Sequence, residues 1–477
     1  MACRNHGRRD TILTMRFLFG LLFLSGLSAE TLPSEPWNRF RGPNGSGVSQ
    51  DTGFPTKFNK EHNVRWRSPV RPGKSSPVLT ARHVFLTASQ DGKLYTLCFD
   101  RATGKLLWER SIDRPRTEIA NRLNHEAAIT PVTDGDNVYA FFKDFGLVAY
   151  SASGNLRWKA PIGPFINTQG VSASPILVGD SVVVVADQWE NSFIAAYHTR
   201  NGELRWKIAR EEGDGWGSPI VHQRSGADPQ ILTVSRGMLG LHQARDGRRA
   251  FTLPGFAMAL VSSPTLDGDT AYVFGYGVET PAPFAPRLEK LDTNKDGRLS
   301  PDEYGIDPIL NNLGKNAGNR DGNVTEDEWR TFADKVLGPN ALFAVRLENG
   351  RARELWRYEK NFSYVVPSTL AYRQVLYVVR NGGILTTHDA ANGQVIKAAR
   401  MEGALGGYSS SPVAADGKVW IASEEGKVVV LRAGGEWEVL AVNNLDEGCY
   451  ATPALSQGVI YVRTDEALYA FSQSAKE

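Results

Sequence analysis

A small hydroxyl residue followed by proline recurs along the whole chain, and it restricts the fold more than any other feature. The pairs are Ser76-Pro77, Thr130-Pro131, Ser174-Pro175, Ser218-Pro219, Ser263-Pro264, Ser411-Pro412 and Thr452-Pro453, with Val366-Pro367 filling the eighth place imperfectly. Successive prolines lie 54, 44, 44, 45, 103, 45 and 41 residues apart. A period of roughly 40 to 50 residues marks a solenoid or a propeller. Each unit repeats one internal order. An apolar stretch follows the proline, then alternating apolar residues such as Val84-Phe85-Leu86, a turn such as Asp91-Gly92, and a third run such as Leu94-Tyr95-Thr96-Leu97. A Gly turn leads into a fourth run. Trp stands four residues after the Gly in Gly104/Trp108, Gly154/Trp158 and Gly202/Trp206; Phe251 replaces it after Gly247, and Trp356 follows Gly350 at a longer spacing. Short alternating runs between turn signals predict strands, not helices.

Four strands per unit, eight times over, predict an all-β, eight-bladed β-propeller spanning residues 63–477. One blade cannot cover its own faces, so blades must stack, with the large Trp rings between them. The last unit, 449–474, has material for three strands only. Asn63-Val64-Arg65-Trp66-Arg67 reads as a fourth strand with no preceding three. The N-terminal strand is therefore expected to complete the last blade and remove two open edges at once. Residues 30–62 read as an extended segment ahead of it.

With 41% hydrophobic residues the chain can bury a large core, and its formal charge of +2 offers no broad cationic surface. Wholesale disorder is excluded and nucleic acid is not an expected partner. Residues 1–29 read as a cleaved signal peptide: Arg4, Arg8, Arg9 and Arg16 precede the apolar run at 17–24, and Ser25, Gly26, Ser28 and Ala29 follow it. A start at Met15 would give a more compact leader. Its loss leaves a net charge of −1. No cysteine follows the run where a lipid would attach. No later apolar stretch approaches the roughly 20 residues of a membrane span, so a periplasmic or secreted location is expected. Cys98 and Cys449 fall on different strands of neighbouring blades and are expected to be separate thiols. No Cys-x-x-Cys or His cluster accompanies them, so zinc is not expected.

The run from Leu94 through Asp100-Arg101-Ala102-Thr103-Gly104 to Trp108, with echoes ending at Trp158 and Trp206, resembles the pyrroloquinoline-quinone-like propeller repeat family. The opening Trp37-Asn38-Arg39-Phe40-Arg41-Gly42-Pro43-Asn44-Gly45-Ser46-Gly47 is similar to the start of its exported bacterial members. The resemblance implies the propeller fold over residues 37–474. It does not choose an activity, because the family includes quinone-dependent dehydrogenases and a non-enzymatic outer-membrane assembly scaffold. The dehydrogenases set two adjacent cysteines against the quinone. This chain has no Cys-Cys, so the quinone is not an expected cofactor.

The long interval holds 58 extra residues between Tyr272-Val273-Phe274 and Leu342-Phe343-Ala344-Val345, the expected second and third strands of blade five. Within this insertion, 284–339, residues 292–303 read Asp-Thr-Asn-Lys-Asp-Gly-Arg-Leu-Ser-Pro-Asp-Glu. That is the twelve-residue EF-hand loop. Ca²⁺ is a hard ion that takes six to eight oxygens. Asp292, Asn294 and Asp296 offer side-chain oxygens, Arg298 its carbonyl, Ser300 a water-mediated contact, and Glu303 a bidentate carboxylate, while Gly297 permits the turn. Ser300, Pro301 and Glu303 also encode a helix start. A degenerate second loop places Asn319, Asp321, Asn323, Thr325 and Glu328 at ligand positions around Gly322, but Ala317 replaces the first acidic residue. The loss of one carboxylate lowers its expected affinity; it can also serve only as the structural partner of the first loop, through Leu299 and Val324. Extracellular modules bind calcium at about 10⁻⁴ to 10⁻³ M, so a constitutive ion is expected, not a sensor.

A loop between the second and third strands of a blade lies on the face where the chain enters the innermost strands. The insertion should therefore overhang that face, where Asn124-His125-Glu126, Trp216, Tyr364, Tyr408, Asp446 and Tyr450 also fall. These residues could ring a channel mouth that binds a small or planar ligand, or could simply be polar loops with packed aromatics. No catalytic set is complete. Gly73-Lys74-Ser75 resembles the end of a phosphate loop, but Ser68 stands where its first Gly is required. The expectation is an exported, non-catalytic calcium-binding module whose partner is a protein, a peptide or a cell-envelope ligand. The alternative is a quinone- or metal-dependent oxidoreductase working in the channel.

Overall fold

The computed structural model describes residues 36–473, apart from 168, 190, 237, 255–260, 276–282, 306, 308–309, 312, 315–318, 337–339, 349–350 and 360–365. Residues 1–29, read above as a signal peptide, lie outside the described residues. The chain forms eight four-stranded antiparallel sheets, each built from consecutive strands except the last. Blade one is Val78–Leu79, His83–Gln90, Lys93–Asp100 and Leu106–Asp113; blade five is Thr265–Asp267, Thr270–Gly275, Ala341–Glu348 and Arg351–Glu359. In blade eight the strands Ala454–Ser456, Val459–Arg463 and Ala467–Phe471 are completed by Val64–Pro69, with Ser68 opposite Leu468. The ring closes with the N-terminal strand, as the sequence predicts.

Burial follows blade position. The second strand of blade three, Ser181–Ala186 (Ser-Val-Val-Val-Val-Ala), is buried at every residue, because neighbouring blades cover both its faces. β-Branched side chains suit that pleated, doubly covered site. Outer strands are mostly exposed; they bury Trp66, Trp108 and Trp158 and half-bury Trp206. The indole N–H of Trp66 donates to Arg101 O (3.2 Å), that of Trp108 to Ala152 O (2.9 Å), that of Trp158 to Thr199 O (2.7 Å) and that of Trp206 to Ala244 O (3.2 Å). Each ring sits on a glycine of the next blade. At Gly104, with φ of 74°, a Cβ would lie 2.6 Å from the Trp66 ring, so both backbone and space require glycine.

The repeated hydroxyls explain the period. Ser76 N–H donates to Thr130 Oγ1 (3.0 Å), Thr130 N–H to Ser174 Oγ (3.2 Å), Ser174 N–H to Ser218 Oγ (2.9 Å) and Ser218 N–H to Ser263 Oγ (2.9 Å). Ser263 N–H donates to Ser368 Oγ, Ser368 N–H to Ser411 Oγ, Ser411 N–H to Thr452 Oγ1 and Thr452 N–H to Ser76 Oγ, each 3.0 Å. These bonds form one closed circle, blade to blade. They also correct the sequence at the imperfect place. The member there is Ser368, which follows its proline, and not Val366. The requirement is an oxygen that accepts the neighbour's N–H, whichever side of the proline carries it.

Residues 37–48 cross the far end of the axis. Leu79 N–H donates to Trp37 O (2.8 Å), Thr133 N–H to Asn38 O (3.0 Å) and Val221 N–H to Asn44 Oδ1 (2.8 Å). Arg39 donates to Pro219 O. The buried Arg41 guanidinium reaches Thr369 O (2.8 Å), Thr265 Oγ1 (3.2 Å) and Ser46 O (3.3 Å). Val48 bridges to Ala414 in blade seven. The segment ties six blades together and shuts that end.

Candidate functional site

The insertion leaves and re-enters blade five between its second and third strands, as the sequence predicts. It contains helices α1 (Ala285–Leu291), α2 (Pro301–Tyr304) and α3 (Glu326–Val336). Phe284, Leu299, Tyr304, Leu310, Leu313, Val324, Trp329 and Phe332 form its core together with Trp189 of blade three. Trp189 lies in the loop between that blade's second and third strands. Its ring is 6.2 Å from Phe332, and the Arg236 guanidinium of blade four sits 5.1 Å above it. The insertion thus reaches across blade four, on the face its own root occupies.

The first loop is held by its own backbone. Asp292 Oδ2 accepts Gly297 N–H (3.0 Å), Asn294 Oδ1 accepts Asp296 N–H (2.8 Å) and Asp296 Oδ1 accepts Arg298 N–H (3.0 Å). Glu303 ties the two ends: Oε1 accepts Thr293 N–H (2.9 Å), and Oε2 accepts the N–H and Oγ–H of Ser300 (2.9 Å each). Those donors, Ser300 N–H foremost, hold the Glu303 carboxyl down to about 2. Leu299 and Val324 exchange backbone bonds of 3.0 and 2.8 Å, so the two loops pair as expected. The second loop repeats the pattern. Asp321 N–H donates to Asn319 Oδ1 (2.9 Å), Asn323 N–H to Asp321 Oδ1 (2.7 Å), and Thr325 N–H and Oγ–H to Glu328 Oε2 (2.9 Å each). Ala317 lies outside the described residues. The oxygens fit a hard cation in kind and in loop winding. Among the described residues no three His, Cys, Asp or Glu side chains yet converge as a metal cluster.

The axis opens into a well of about 140 Å³. Its floor is Phe40 of the crossing segment. Two tiers of side chains form its wall. The lower tier is the hydroxyl circle. The upper tier comprises the residues two positions earlier in each repeat: Lys74, Ala128, Ser172, Trp216, Val261, Val366, Ser409 and Tyr450. Sequence reasoning found Trp216 and Tyr450 but missed the tier, although a fixed offset from the hydroxyls marked it. Lys74, dismissed with the phosphate-loop match, is the charged member. Its ammonium donates to Arg122 O and lies 3.4 Å from the Tyr450 ring centroid. Burial lowers its pKa, against the pull of Asp465 and Glu424. Arg122 reaches over the mouth to Glu424 and Tyr450.

The other expected mouth residues separate. Tyr408 is buried, its hydroxyl donating to Ala404 O (2.6 Å). Asn124 is buried and donates to Gln169 O and Gly170 O, and exposed Asp446 accepts from Asn444 (2.6 Å). Tyr364 lies outside the described residues. His125 Nε2 meets Glu126 (3.0 Å) while Nδ1 accepts Ala127 N–H (3.2 Å), so both ring nitrogens are engaged. Cys98 and Cys449 are buried, separate thiols. A buried ionic network underlies the Trp189 loop. Asp187 pairs with Arg210 (2.7 Å), whose Nη1 is 2.8 Å from His242 Nε2. Burial, then Arg210, drives the His242 pKa down to about 4, so this imidazole is neutral. Asn167 links the network to the well: its amide donates to Asp187 O (2.8 Å) and its Oδ1 accepts the Trp216 indole N–H (3.1 Å).

A family model described as outer membrane protein assembly factor BamB matches residues 56–253 and 326–477, and an EF hand model matches 285–305. No curated protein sequence matches the chain. BamB from Moraxella catarrhalis superposes with a TM-score of 0.54 at 12% identity, over 85% of this chain and 100% of that one. The computationally designed Ika8 protein gives 0.54 at 11% identity, over 85% and 98%. The quinohemoprotein alcohol dehydrogenase from Comamonas testosteroni gives 0.44 at 13% identity, over 93% and 81%. The likeness to BamB from Moraxella catarrhalis and to Ika8, at these identities, is one of fold. No described helix is long and apolar enough to cross a membrane.

Proposed function

The chain belongs to the family of outer membrane protein assembly factor BamB, and on that premise we propose that it is an exported, periplasmic, non-catalytic propeller that binds a polypeptide partner on its insertion-bearing face, with Ca²⁺ ordering the insertion. The observation that carries this reading is the seating of the EF-hand insertion on Trp189, which adds a second surface beside the well. Asp292, Asn294, Asp296 and Glu303 would hold the ion by side-chain oxygens, Arg298 by its carbonyl and Ser300 through water. Asn319, Asp321, Asn323, Thr325 and Glu328 would form a weaker second site or only brace the first.

Calorimetric titration of the leaderless chain with CaCl₂ tests the metal. Binding at about 10⁻⁴ to 10⁻³ M is expected. It should vanish in Asp292→Ala/Glu303→Ala, while Glu328→Ala leaves at least one site. Heat of binding that survives the double substitution would move the ion elsewhere; no heat in the unsubstituted chain would remove it.

A further inference from the structure

The well carries chemistry that the partner-binding reading does not use. Each hydroxyl of the circle accepts a neighbour's N–H, and none gives its own proton to a protein acceptor among the described residues. All eight side chains are at most 6% exposed. A buried donor left unspent is costly, and a hydroxyl that accepts an N–H is polarised into a better donor. Eight such protons border one cavity.

The upper tier is two-sided. Blades four, five and six contribute Trp216, Val261 and Val366; blades seven, eight and one contribute Ser409, Tyr450 and Lys74. Blades four and eight face each other across an eight-membered ring, so Trp216 opposes Tyr450. Among the described lining residues Lys74 alone carries a formal charge, and no described carboxylate lies within ion-pair distance of its ammonium. Glu424 stands just outside, held by Arg122 and Ser409.

We propose that the well binds a small monocarboxylic acid with an apolar body: the carboxylate lies between Lys74 and the hydroxyl circle, and the body lies against Trp216, Val261 and Val366. One ammonium balances one carboxylate. A di- or trianion would bring surplus charge toward Glu424. The carboxylate is carried either by a free acid or by the C-terminus of a peptide, and the two sources present the same group.

The test is calorimetry in calcium-free buffer, so that its result is independent of the EF-hand loop. Phenylacetate represents the free acid and Gly-Gly-Phe the chain terminus; phenylacetamide and Gly-Gly-Phe-amide are their neutral counterparts. At least one acid should bind at least tenfold more tightly than its amide, and the better acid identifies the source. Benzene-1,3,5-tricarboxylate should bind more weakly than phenylacetate. Lys74→Met should abolish the preference for acid over amide, Lys74→Arg should retain it, and Trp216→Leu should weaken acid and amide alike. The hydroxyl circle is left intact because it also closes the fold. Equal affinity for acid and amide, a preference that survives Lys74→Met, tighter binding of the tricarboxylate, or no binding by either acid would overturn the proposal.

Discussion

Replacing Trp66 by Ala is expected to lower the unfolding free energy by about 3–5 kcal/mol, the range for removing a buried large aromatic. Trp66 is 8% exposed and belongs to the one strand that joins the two ends of the chain. Its ring fills the space above Gly104 in blade one, and its N–H satisfies Arg101 O (3.2 Å). The same indole contact recurs at Trp108, Trp158 and Trp206, but those strands are joined to the rest of their own blades by the chain. The Trp66 strand is held to the other three strands of blade eight by non-covalent contacts, chiefly its pairing with Ala467–Phe471. Trp66→Phe keeps most of the apolar contact and loses the hydrogen bond, so it should cost less, about 1 kcal/mol from that bond. Urea unfolding followed by tryptophan fluorescence measures both. A loss under about 1 kcal/mol for Trp66→Ala would mean that the seam does not limit stability.

Arg41→Met should cost about 2–4 kcal/mol, because it strands buried acceptors that the guanidinium now serves. Arg41 is fully buried, and no described carboxylate lies within ion-pair distance of it. Its partners are Thr369 O, Ser46 O and Thr265 Oγ1. Burial lowers its pKa to about 9, which still leaves it charged at neutral pH. The substitution should also loosen the segment that floors the well. Limited proteolysis should then cut within residues 36–62 well before the blades. Unchanged stability together with unchanged cleavage would show that this segment is held by its other contacts.

How much of this was legible in the sequence depended on the range of each interaction. The blades were readable because each is built from consecutive residues with its own turns. The EF-hand loop was readable because its bonds, such as Asp292 to Gly297, are local. The crossing segment was not: Arg39 reaches a carbonyl 180 residues away and Arg41 one 328 away, and backbone carbonyls carry no sequence signature. Trp189 is not marked in the sequence, since its partner Phe332 belongs to a different blade's insertion. Val366 reads as the eighth member only when the residue before proline defines the repeat, whereas the circle needs an oxygen, which Ser368 supplies. Tyr408 and Asn124 fell near the mouth in sequence, but their hydrogen bonds turn them into the fold.

The central claim is that the insertion and the well mouth form one binding face. Photo-crosslinking in the cells that make the protein tests it most directly, with the probe placed at Leu123 in the well mouth, at Arg298 on the EF-hand loop, or at Leu156 on the outer rim, where the side chain is 52% exposed. The account predicts the same discrete polypeptide adduct from Leu123 and Arg298 and none from Leu156. An adduct from Leu156 alone, or different adducts from the two face positions, would contradict it.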